Sequence, residues 1–139
     1  IAAGITEGLN LGENAKSALI SRSFAEMTRY AKKFKADKNT LFGLSGLGDL
    51  ILTCSSKNSR NTQFGIKLAS SKYDNFLDLL KSQEVTEGYY TVKAVYNISQ
   101  KKNIDMPIME SVYNILYKQH DLKEELSNLL SRPITEEKI

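Results

Sequence analysis

The stretch Ala15-Lys-Ser-Ala-Leu-Ile20-Ser-Arg-Ser-Phe24-Ala-Glu-Met27-Thr-Arg-Tyr-Ala31-Lys-Lys-Phe34-Lys35 decides the fold class. Ile20, Phe24, Met27, Ala31 and Phe34 recur at steps of four, three, four and three, the spacing of one face of an α-helix. Asn14 stands where a cap would. Helical readings extend outward in both directions. Residues 1–9 are small and apolar and read as the end of a helix, broken by Gly8, Asn10 and Gly12. Downstream, Asp37 and Asn39 mark a turn, and Thr40 to Phe42 start a short helical piece. Asp49 to Cys54 fits helix or strand by periodicity alone; helix is preferred, because Asp49 and Thr53 then share a face.

The remaining segments carry helix starts. Ser59 is an N-cap for a helix over about 60–69. Asp74 caps a short helix with Phe76, Leu77 and Leu80. Glu84 to Glu87 form an extended linker, and Gly88 opens a helix to about Lys102 with Val92, Val95 and Ser99 inward. Pro107 suits a first helical turn, ahead of Met109, Val112, Tyr113 and Leu116. Asp121 to Glu124 forms a box-like cap with Asp in place of the usual Ser or Thr, ahead of Leu122, Leu126, Leu129 and Leu130. Pro133 ends that helix. No segment alternates convincingly as a strand. The expected fold is all-α, with 1–139 as one helical domain and 133–139 as its tail.

Bulk properties agree. A chain of 139 residues is long enough to bury a core, and 41% hydrophobic with 25% charged residues is ordinary for a soluble protein. Nineteen basic against sixteen acidic residues leave +3. No block of like charge suggests a nucleic-acid arm, and no apolar run approaches a membrane span. The single cysteine leaves no disulfide within the chain and fits a reducing, cytoplasmic setting. Ile1 to Ile5 is no signal peptide; it reads like the middle of an apolar helix, so a fragment of a longer protein is expected.

The chemistry concentrates between Gly43 and Asn61. Gly43, Gly46 and Gly48 loosen the backbone before Asp49. A lone Asp after glycines is usually a cap, but Thr53 one turn on puts a hydroxyl beside the carboxylate, a pair suited to polyol hydroxyls or to positioning a base. Ser59-Arg60-Asn61 reads equally as a solvated helix start or as an anion site, where free N–H groups and a positive dipole end meet a guanidinium fork. Asp49 and Arg60 together, eleven residues apart across a loop, point to a phosphorylated small molecule. The glycines stand in the wrong order for a dinucleotide fingerprint, and no strand precedes them, so the chain holds no dinucleotide-binding domain of its own. Glu87-Gly88 fits a ligand-touching loop or a helix start with an acid at its positive end. Cys54 reads as a packed small hydrophobe and His120 as a surface or loop residue. One His and one Cys leave no zinc site.

Taken together, Ile1 to Ile5, Gly12-x-Asn14-Ala15-Lys16, Gly43 to Leu50, Thr53-Cys54, Ser59-Arg60-Asn61 and Met106-Pro107-Ile108 resemble the carboxy-terminal half of bacterial NAD(P)-dependent glycerol-3-phosphate dehydrogenases over nearly the whole chain. The resemblance implies a multi-helix substrate domain of the 6-phosphogluconate-dehydrogenase carboxy-terminal type, beside a Rossmann domain that this chain lacks. It implies interconversion of sn-glycerol 3-phosphate and dihydroxyacetone phosphate with NAD or NADP, supplying a glycerophospholipid precursor, and a possible homodimer. By position, Asp49, Thr53, Ser59, Arg60 and Asn61 match substrate-binding residues, and Arg60, Val85 and Glu87 match cofactor contacts. The family's second Val in Val-Val-Glu-Gly is Thr86 here. The family's catalytic lysine falls before Ile1, so no catalytic residue lies in this chain, and the chain alone is expected to be inactive. Two other readings stand beside this one: a non-catalytic helical interaction module, and a related dehydrogenase acting on another small acid or phosphate.

Overall fold

A computed structural model describes residues 1–70, 76–82 and 86–132. The described residues form helices α1 (Ala2–Gly8), α2 (Glu13–Lys33), α3 (Lys38–Phe42), α4 (Asp49–Ser55), α5 (Arg60–Ala69), α6 (Phe76–Lys81), α7 (Glu87–Lys102), α8 (Pro107–Lys118) and α9 (Leu122–Ser131), with a π-helical turn at Leu44–Gly48. No strand occurs among them. The all-α expectation therefore holds.

Several caps read from the sequence are made. Asp37 accepts from the amide of Asn39 at 2.8 Å, Ser59 from that of Thr62 at 3.3 Å, and Asp121 from that of Glu124 at 2.9 Å. Each satisfies an amide that a helix start would otherwise leave unpaired. Asn14 does not cap α2. That helix starts two residues earlier than expected, and Gly12 at φ 86° takes the cap position. Phe34 is also displaced from the expected core: α2 ends at Lys33, and Phe34 is 46% exposed, its ring against Tyr30 and under the Lys102 ammonium. On α6 the buried residue is Leu79, while Leu77 faces out. Asp74 and Pro133 lie outside the described residues.

The core is built on α5, α6, α7 and α8, where Phe64, Leu79, Val92, Val112 and Leu116 pack together. Tyrosines flank it in a ladder. Tyr96 stacks on Tyr113 at 3.7 Å between centroids, Tyr113 on Tyr117 at 5.1 Å, and Tyr117 on Tyr89 at 4.7 Å. The Tyr117 hydroxyl donates to the Tyr89 carbonyl at 2.7 Å, so its polar end is satisfied. A second cluster, Ala3, Leu19 and Ile108, joins α1, α2 and α8.

One contact fixes the position of the site. Helices α1 and α5 cross glycine on glycine. A Cβ on Gly4 would lie 2.0 Å from the Thr62 carbonyl oxygen, and one on Gly65 would lie 2.1 Å from that of Ile1. Only hydrogen fits between these backbones. The close crossing locks the first turn of α5, with Arg60 and Asn61, against α1.

Candidate functional site

Two helix starts meet beside that crossing. Helix α5 begins at Arg60 under the Ser59 cap. Helix α7 begins at Glu87, and its own cap residue, Thr86, makes no side-chain cap bond to it. Asn61 supplies the missing acceptor from the other helix. Its Oδ1 receives the Gly88 amide at 3.2 Å and the Thr86 hydroxyl at 2.7 Å. The fit is tight, since a Cβ on Gly88 would stand 2.3 Å from Asn61 Oδ1. With Oδ1 committed, the Asn61 amide nitrogen is what the side chain can offer a ligand, and it only donates. Arg60 lies beside it, and its Nη2 donates to Glu87 Oε1 at 2.7 Å. The side chains of this pair are 75% and 80% exposed.

Helix α4 is tied to the same corner. The Thr62 hydroxyl donates to the Thr53 carbonyl at 2.9 Å. Thr53, Cys54, Asn61 and Gly88 then line one cavity of about 450 Å³, together with Ile1 and Glu26. Among the expected site residues, Thr53 and Asn61 are thus brought together on this cavity. Arg60 and Glu87 are brought together as an ion pair. Asp49 stands exposed on the first turn of α4, one turn before Thr53 and directly after the π-helical turn, a distortion often found at functional sites. Asp49, Ser59 and Arg60 are not part of the cavity's lining. Val85 lies outside the described residues.

The corner carries both signs of charge, with the Arg60 guanidinium paired to the Glu87 carboxylate. Two helix N-termini, a guanidinium and an amide N–H donor converge on one corner. Burial pushes the Cys54 thiol up, which disfavours its nucleophilic thiolate; the charge of Lys16 opposes that shift and the charge of Asp49 adds to it. His120 lies elsewhere, where Nδ1 meets Glu125 Oε1 at 2.6 Å.

Glu26 was not singled out in the sequence. It is 4% exposed and lines the cavity, and its two oxygens receive the amides of Ile108 at 2.6 Å and Met109 at 3.1 Å. Burial raises its pKa to about 7 against the opposing pull of those two hydrogen bonds. The available signal was Pro107: a proline-started helix leaves the next amides needing an acceptor, and an acid within the apolar run of α2 can provide one.

A sequence model described as NAD-dependent glycerol-3-phosphate dehydrogenase C-terminus matches residues 1–127. This chain belongs to that family. The glycerol-3-phosphate dehydrogenase (NAD(P)+) of Colwellia psychrerythraea is 44% identical over 132 residues, covering 95% of this chain and 39% of its relative. That of Solidesulfovibrio magneticus is 44% identical over 138 residues, covering 99% and 41%. The crystal structure of glycerol-3-phosphate dehydrogenase from Coxiella burnetii superimposes with a TM-score of 0.87 at 39% identity, over 94% of this chain and 40% of that one. The chain spans about two fifths of the length of the curated relatives it matches. The family's carboxy-terminal fold is thus present over nearly the whole chain, and the corner formed by α4, α5 and α7 lies inside the matched residues.

Proposed function

We propose that this chain is the substrate domain of an oxidoreductase that interconverts sn-glycerol 3-phosphate and dihydroxyacetone phosphate with NAD or NADP. The observation that carries the reading is the Ser59-capped start of α5, where Arg60 and the Asn61 amide stand as donors against the start of α7. The first-turn amides of α5 and the Arg60 fork hold the phosphate, and the Asn61 amide donates beside it. Thr53 on the cavity wall bonds near the carbinol carbon, and Asp49 fixes a substrate hydroxyl or orients the base, which a preceding segment supplies.

Arg60 and Glu87 fit the edge of a nicotinamide cofactor. Both are exposed, and a guanidinium with a carboxylate can meet the phosphates and hydroxyls of a dinucleotide. A dinucleotide-binding domain outside this chain holds the rest of it. The cofactor supplies the hydride chemistry. Residues 1–139 act as one helical domain in this reading, with 133–139 as a tail. The whole enzyme works in the cytoplasm, supplies glycerophospholipid synthesis, and pairs as a homodimer. No helix among the described residues is long and apolar enough to cross a membrane.

The test is Arg60→Ala in the full-length enzyme. Loss of a charged hydrogen bond to the phosphate, ~1.5–3 kcal/mol, should raise the KM for dihydroxyacetone phosphate roughly ten- to hundredfold. An unchanged KM would remove the phosphate assignment. A full-length protein that oxidises another acid or phosphate in preference would favour the related-dehydrogenase reading.

A further inference from the structure

The guanidinium read above as the phosphate holder already carries an anion of the chain's own. We propose that Glu87 is an internal counter-anion which the substrate's phosphate displaces from Arg60, so that Glu87 sets the phosphate affinity of this site. This inference rests on the phosphate reading of Arg60.

Three features support displacement over a permanent structural bridge. The two residues are the first of their helices, and the Asn61 bonds to Thr86 and Gly88 hold those helix starts together. The Glu87 backbone is therefore fixed within reach of Arg60, and only its side chain needs to move. Both side chains lie largely in solvent, at 75% and 80% exposure. An exposed pair of this kind is weak, and rotation of one side chain breaks it without burying a lone charge. Glu87 also keeps a favourable place once released, since a carboxylate in the first turn of α7 faces the positive end of that helix.

Arg60 can begin the exchange before Glu87 leaves. Only Nη2 contacts Glu87, and a guanidinium has five N–H donors. A phosphate dianion can take the free donors first. The carboxylate and the dianion then repel across one cation, and the more highly charged ligand prevails. The chain thus lowers its own affinity for phosphate esters, which eases product release in either direction.

The experiment is calorimetric titration of the full-length, cofactor-free enzyme with inorganic phosphate, comparing the wild type with Glu87→Gln and Arg60→Ala. Omitting the cofactor keeps any contact between Glu87 and the dinucleotide out of the result. Glu87→Gln should bind phosphate about two- to fivefold more tightly, the range of an exposed ion pair. Arg60→Ala should lose binding. If Arg60→Ala binds like the wild type, the phosphate reading fails and this inference fails with it. If Arg60→Ala weakens binding while Glu87→Gln leaves it unchanged, the phosphate reading stands and Glu87 is no competitor. Weaker binding by Glu87→Gln also overturns the inference, because Glu87 would then be orienting Arg60. Glu87→Ala, with matched thermal melting, separates a charge effect from a folding defect.

Discussion

Glu26→Gln is the substitution with the most specific consequence. The wild-type carboxyl is buried at 4% exposure and accepts two amides at the start of α8. Its charged neighbours are Arg29, one turn along α2, and Asp105, before α8. Arg29 Nε donates to the Asp105 carbonyl at 2.7 Å, and the Asp105 carboxylate is shared between Arg29 at 3.9 Å and Arg132 at 3.5 Å. Arg29 pulls the Glu26 pKa down and Asp105 pushes it up, but burial dominates and raises it from 4.5 to about 7. Between these values the folded protein holds a proton that the unfolded chain has lost. Stability from this group is therefore complete below pH 4.5 and falls as pH rises to about 7. The interval from 4.5 to about 7 corresponds to about 3 kcal/mol. Glutamine keeps one oxygen acceptor and cannot ionise, so its curve lacks this slope. Urea denaturation at steps from pH 4 to pH 8 should show the wild type losing up to about 3 kcal/mol relative to Glu26→Gln. Parallel curves would refute the reasoning, as would a carboxyl carbon resonance of Glu26 that titrates near 4.5.

The remaining expectations concern the scaffold. Gly65→Ala puts a methyl 2.1 Å from the Ile1 carbonyl oxygen, so α1 and α5 must part; a loss of ~1–3 kcal/mol is expected, and an unchanged melting temperature would show that the helices do not cross there. The Cys54 thiol, pushed up by burial, should react with iodoacetamide at pH 8 more slowly than free cysteine, because the thiolate is the reactive form. A rate equal to that of free cysteine would contradict its buried setting.

Local signals were enough for the helices that carry their own start signals. Ser59, Asp121 and Asp37 each satisfy an amide two or three residues on, so the rule that places them needs no distant partner. Asn14 misled because Gly12, two residues earlier, reaches a backbone conformation that suits the cap. Phe34 misled because a periodic stripe marks a face without saying where the packed neighbour ends. The residue types of the candidate site, and their order from Asp49 to Asn61, were legible from the same local spacing.

The sequence by itself determined the all-α class, most helix starts and the residue types of the candidate site, because these depend on chain neighbours within a turn or two. Only the tertiary structure decided how those residues are committed. It spends Asn61 Oδ1 on α7 and leaves the amide nitrogen for a ligand, pairs Arg60 with Glu87 across 27 positions of sequence, and buries Glu26 beneath α8 across 82. The physical reason is range. A cap or an apolar stripe is fixed by spacing along one helix, whereas a hydrogen bond between helices exists only once a crossing such as Gly4 on Gly65 has set their distance.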